Sequence, residues 1–163
     1  MSVTSNIDQV QQQLATIRVA VREAIVRSLH ESGLIVRARA VVKAPVSAGQ
    51  LRASITHEVD AAALTVTVGS TAMHAVYQET GTRPGYGPNA GSGRGMPPEG
   101  SLLRWVMRTF GVGQKEGEGI EFLVRRKIQR EGTKPQPFLG PAWEESRGDI
   151  AAAFERNLAS VTK

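Results

Sequence analysis

The chain has no cysteine in its 163 residues. That excludes disulfides and thiolate metal sites, and it fits a protein made in a reducing cytosol. Aromatic residues are scarce, at 5%. The core must therefore come mostly from aliphatic side chains, and part of the stability is expected from self-association. No apolar run approaches the roughly 18 residues that a membrane-spanning helix needs. The first residues, Met1 to Asp8, are polar and carry no apolar signal segment. Only three histidines occur, His30, His57 and His74, and no two have the close helical spacing of a metal pair.

Recognisable catalytic equipment is also missing. Gly85-Tyr86-Gly87-Pro88-Asn89-Ala90-Gly91 has the look of a dinucleotide loop, but no clear strand leads into it and Pro88 removes a backbone donor. Gly111-Val112-Gly113-Gln114-Lys115 lacks the glycine spacing and the hydroxyl of a phosphate loop. His74 and Glu79 could act as base and orienter, yet the sequence offers no third partner. We therefore expect no catalytic residue, no cofactor and no metal.

What is present is a 40% apolar chain with a net charge of +5. One domain, residues 1–163, is the default for this length. Ile7, Val10, Leu14, Ile17, Val21 and Ala24 recur at spacings of three and four, which predicts an amphipathic helix. Val36 and Ala40 to Val42 continue an apolar face past Gly33, where the helix either kinks or breaks or runs on as one long helix from about Ile7 to Val42. Ala44-Pro45-Val46-Ser47-Ala48-Gly49 ends that helix. Leu51, Ala53, Ile55, His57 and Val59 then alternate with polar residues, and Leu64, Val66 and Val68 alternate with threonines. That predicts a hairpin of two antiparallel strands.

Residues 73–79 fit either a short helix or a strand. Between 81 and 100, glycine and proline fill 11 of the 20 positions, so a long loop is expected. A helical insertion follows at 101–132. Its first helix carries Leu102, Leu103, Trp105, Val106 and Phe110; its second carries Ile120, Leu123, Val124 and Ile128. The two tryptophans, Trp105 and Trp143, read as core or interface anchors. The stretch 131–142 holds three prolines and reads as a stiff extended arm that presents Phe138 and Leu139. Pro141 suits the first turn of a last helix running to about Val161. The fold class is α+β, not alternating βαβ.

The densest basic region is Arg125, Arg126, Lys127, Arg130 and Lys134, with Arg104 and Arg108 before it. One reading is a solvated helix face. The other is non-specific, salt-sensitive contact with DNA phosphates or with an acidic partner.

Four motifs follow in order. Ala44-Pro45-Val46-Ser47-Ala48-Gly49-Gln50-Leu51-Arg52-Ala53-Ser54-Ile55 resembles the APxxTGxLRxSI signature of a tailed-phage family, with Ala48 in place of Thr. Val66-Thr67-Val68-Gly69 resembles its VxVG strand end. Ala75-Val76-Tyr77-Gln78-Glu79-Thr80-Gly81-Thr82 resembles AxYxExGT. Pro137-Phe138-Leu139-Gly140-Pro141-Ala142 resembles PFLxPA. The family is that of neck and tail-completion proteins of long-tailed phages, often labelled tail components. The likeness runs from about Ala40 to the C-terminus, with an insertion between Arg83 and Gln136.

The resemblance implies a non-enzymatic virion part at the head-tail junction, made in the host cytoplasm during assembly. It implies a homo-oligomeric ring, commonly sixfold, between the head connector and the tail tube. It implies no membrane partner. Pro45, Gly49, Leu51, Arg52, Tyr77, Glu79, Gly81, Thr82, Pro137, Phe138, Leu139 and Pro141 would then determine fold or subunit interface. A small DNA-binding or packaging accessory protein is the alternative reading.

Overall fold

The apolar spacing that begins at Ile7 becomes one uninterrupted helix, α1 (Val3–Lys43), 41 residues long. In full the order is α1, α2 (Gln50–Ala53), β1 (Ile55–Asp60), β2 (Thr65–Ser70), α3 (Ala75–Thr80), α4 (Leu103–Phe110), α5 (Gln114–Glu131) and α6 (Leu139–Ala159). This computed structural model describes residues 3–46, 49–84 and 96–161. The glycine pattern at 85–91 and most of the 81–100 loop lie outside the described residues, as do Ser47 and Ala48. The α+β reading stands: a long first helix, a two-stranded sheet, further helices and a last helix.

Contacts divide the chain into two compact units. The first comprises Met1–Ala40, Thr56–Gly69 and Pro141–Lys163. Here α1 buries Ala24, Ser28, Leu29, Ser32, Val36 and Ala40, and α6 buries Ala142, Ser146 and Ala153. The buried row of α1 repeats mainly every four residues and is built of small side chains, so a neighbouring backbone can come close. The buried hydroxyls are satisfied locally. Ser28 donates to the Ala24 carbonyl at 2.8 Å and Ser32 to that of Ser28 at 2.7 Å. Ser146 donates to the Ala142 carbonyl at 2.6 Å and accepts from Arg39 Nη1 at 2.8 Å.

Arg39 also pairs with Asp149, and Glu31 takes Arg156 and the Asn157 amide. Position 31 faces 156–157 while 39 faces 146–149, so the two helices run antiparallel. At Gly33 the helix runs on without a break. Glycine is there for proximity: a Cβ would lie 2.6 Å from Cδ2 of His57 and 3.0 Å from Cγ2 of Val66. In the hairpin the expected alternation holds, with Ile55, His57 and Val59 covered and Thr56 and Glu58 exposed. Asp60 closes the turn by accepting the N–H groups of Ala62 (2.8 Å) and Ala63 (2.9 Å). Those two donors, Ala63 first, hold its carboxyl below the ordinary carboxylate value.

The second unit comprises Val41–Ile55 and Ser70–Gly140. Its first correction is at Leu51–Ala53, expected as strand and found as the helical turn α2. The alternation runs unbroken from Leu51 to Val59 in the sequence, so it does not mark where the helical turn ends and β1 begins. Gly49, at φ 77°, redirects the chain, and its carbonyl accepts the Ala53 N–H at 3.0 Å. The ambiguous 73–79 segment resolves as α3. In α4, Val106 is fully buried, while Phe110 is exposed and meets Trp105 edge-on at 6.1 Å.

In α5 the expected stripe is covered at Ile120, Val124 and Ile128, and one member departs from it. Leu123 is 63% exposed, whereas Gly117 and Glu121 are buried. Trp143, expected as a core or an interface anchor, is half-exposed and so is not a core residue of this chain.

Candidate functional site

The third and fourth motifs are separated by more than fifty residues of sequence and meet in space. The meeting starts from proline stiffness. Pro135 and Pro137 keep the arm extended, so its backbone donors are not used up in a local turn. Gln136 N–H donates to the Gln78 carbonyl at 2.8 Å, and the Gln78 side-chain amide donates to Gln136 Oε1 at 2.6 Å. Glu79 then receives the start of α6. Its Oε2 accepts from Phe138 N (2.7 Å) and Leu139 N (3.0 Å), and its Oε1 accepts from Gly140 N (2.8 Å).

A helix start leaves N–H groups without intrahelical partners and carries partial positive charge, so one carboxylate answers three donors. Burial alone would raise the Glu79 carboxyl. The N–H groups of Leu139, Phe138 and Gly140 more than offset it and leave the group below its ordinary value. Both oxygens of Glu79 thus face the start of α6.

The next step of the join is tighter. Thr82 and Thr133 form an isolated antiparallel bridge, with N–H to carbonyl distances of 3.0 and 3.1 Å. Their hydroxyls lie 3.0 Å apart. Two glycines make this approach possible. A Cβ on Gly81 would stand 2.5 Å from the Thr133 carbonyl oxygen, and one on Gly132 only 2.0 Å from that of Thr82. Both also hold positive φ, 70° and 74°. Phe138, at the end of the arm, is fully buried.

The first motif performs a comparable task on α1. Arg52 Nε donates to the Ala44 carbonyl at 2.9 Å, and Nη2 to that of Val42 at 3.3 Å. A cation on the last free carbonyls of a helix is favourable to the dipole. Leu51 and Ile55, on either side, are buried. Of the other motif positions, Pro45, Tyr77, Leu139 and Pro141 are half-buried, and Pro137 is exposed.

Sequence reading missed Glu121. It is 2% exposed and its carboxylate accepts from Leu102 N at 2.9 Å and Gly100 N at 3.2 Å. It serves the start of α4 as Glu79 serves that of α6. The available signal was an acid four residues after Gly117, one turn further along the same face of α5.

The basic residues on α5 do not act as one group. Arg125 is half-buried and donates from Nε to the Pro97 carbonyl at 2.8 Å. Lys127 lies 3.9 Å from Glu131. Arg126, Arg130 and Lys134 are exposed. Among the described residues no group of three His, Asp or Glu could hold a metal ion, and no helix is long and apolar enough to cross a membrane.

Residues 8–81 match a family model described as "Bacteriophage HK97-gp10, putative tail-component". No curated protein and no solved structure matches the chain. The matched stretch holds the first two motifs and the third as far as Gly81. It also reaches through α1, further towards the N-terminus than the motif likeness extends. The PFLxPA segment lies outside it. Over residues 8–81 this chain is similar to a family of bacteriophage tail components, the kind of family its ordered motifs resemble.

Proposed function

We propose that the protein is a structural subunit of a phage neck, a tail-completion ring component that joins the head connector to the tail tube. The supporting observation is the family match together with what the motif residues do in this chain. Glu79, Gly81, Thr82 and Arg52 are spent on closing helix ends and joining distant segments, not on a reaction centre. Copies would form a ring in which each presents one surface to a different surface of the next. Half-exposed apolar side chains such as Trp143, Phe122 and Leu123 suit such contacts.

The test is a lysate made without this gene. Filled heads and separate, complete tails are expected. Normally joined particles would remove the neck assignment.

A second reading draws on Arg126, Arg130 and Lys134, which are exposed in the densest basic stretch. They would touch DNA phosphates, within a channel or as an accessory factor. Duplex binding measured across salt decides this. Each neutralised phosphate gives a slope of about −0.9 in log affinity against log salt. Binding with no salt dependence would discard the reading.

A further inference from the structure

Residues 7–19 of α1 stand ahead of the part of the helix that is buried in this chain's own core. Every residue from 7 to 19 is exposed. Yet Ile7, Val10, Leu14 and Ile17 line one side of it, each about half-exposed. Most helix stability in proteins comes from tertiary packing of an apolar face, so this half-exposed row gains from a partner.

The spacing specifies what kind. A helix lying on a globular core has a broad apolar stripe, with positions beside the a/d row also apolar. Here the row is narrow, at strict intervals of three and four, and Gln11 and Gln13 flank it. A seam of that period is the surface that packs into another helix of the same period. The flanks select a like partner. The first two heptads hold no opposed charges of the kind that specify a different chain. In a parallel bundle Gln13 would meet Arg18 of the next copy, an amide–guanidinium contact without like-charge repulsion. Leu14 at an a position followed by Ile17 at d favours more than two strands.

We propose that residues 7–17 of α1, which end before the helix meets this chain's own core at Ala24, form a parallel helical bundle of three or more copies of this chain. The parallel sense rests on the ring reading, since copies related by rotation about one axis point the same way. The self-association itself rests on the seam alone.

The absence of cysteine makes the test clean. The full chain is compared with the double variant Leu14→Asp, Ile17→Asp by sedimentation, and Leu14→Cys with Gln12→Cys by oxidative crosslinking. Wild type is expected as an oligomer of at least three copies and the double variant as single chains with an unchanged core melting transition. Leu14→Cys, in the seam, is expected to give covalent pairs; Gln12→Cys, on the outer face, is not. A wild type that stays single, a double variant that keeps the wild-type mass, or equal crosslinking at both positions overturns the bundle. None of those results bears on whether particles lacking the gene fail to join head to tail, so the two ideas fail separately.

Discussion

Glu79 illustrates how much one side chain can organise. Three backbone N–H groups converge on it, and its folded carboxyl sits below the ordinary value of 4.5. A depressed acid contributes stability that is complete above the unfolded value and is lost as pH falls through the lower folded value. We therefore expect Glu79→Gln to flatten the fall in stability below about pH 4.5. It should also lower neutral-pH stability by about 1.5–3 kcal/mol, the usual range for hydrogen bonds to a charged group. Urea titrations at several pH values check this; an identical pH dependence in both proteins would refute it. Phe138→Ala should cost about 3–5 kcal/mol, because the ring is fully buried. A variant as stable as wild type would mean that the arm is dispensable. Gly132→Ala is expected to be destabilising by at least about 1–3 kcal/mol, since the position combines positive φ with a 2.0 Å clash. An unchanged thermal midpoint would show that the Thr82–Thr133 bridge can shift freely.

At the scale of elements, two helix starts are served by acids from elsewhere in the chain. Glu121 does for α4 what Glu79 does for α6. Replacing Glu121 by Leu would leave the Gly100 and Leu102 N–H groups without this acceptor. Local loss of α4 is expected, seen as faster amide exchange across 102–110; unchanged exchange would show that the cap is redundant. The long helix was legible because period and length agree over many residues. The turn at Gln50–Ala53 was not, because its apolar positions fall in register with the alternation of the strand that follows. The inward side of α5 was legible at Ile120, Val124 and Ile128, but not at Gly117 and Glu121, which are more deeply buried than any of them. Proximity to α4 favours the small residue there, and capping the start of α4 favours the acid.

For the whole molecule, the functional expectation is an assembly part. Phage particles made with a variant lacking Arg126, Arg130 and Lys134 separate its two readings. If these cations touch DNA, duplex affinity should fall and the salt slope should flatten by about one per lost phosphate contact. If they form only a solvated face, both stay unchanged and head–tail joining persists. The amino-acid order alone determined the α+β class, the long first helix, the hairpin and the resemblance to tail components, since periodicity and short motifs are local properties of the chain. The folded arrangement alone decided that Glu79 and Glu121 hold helix ends, that Phe138 turns inward and Trp143 does not, and that Gly33 admits the hairpin. Those roles depend on which distant backbone groups arrive beside each side chain, and separation along the chain carries no record of that.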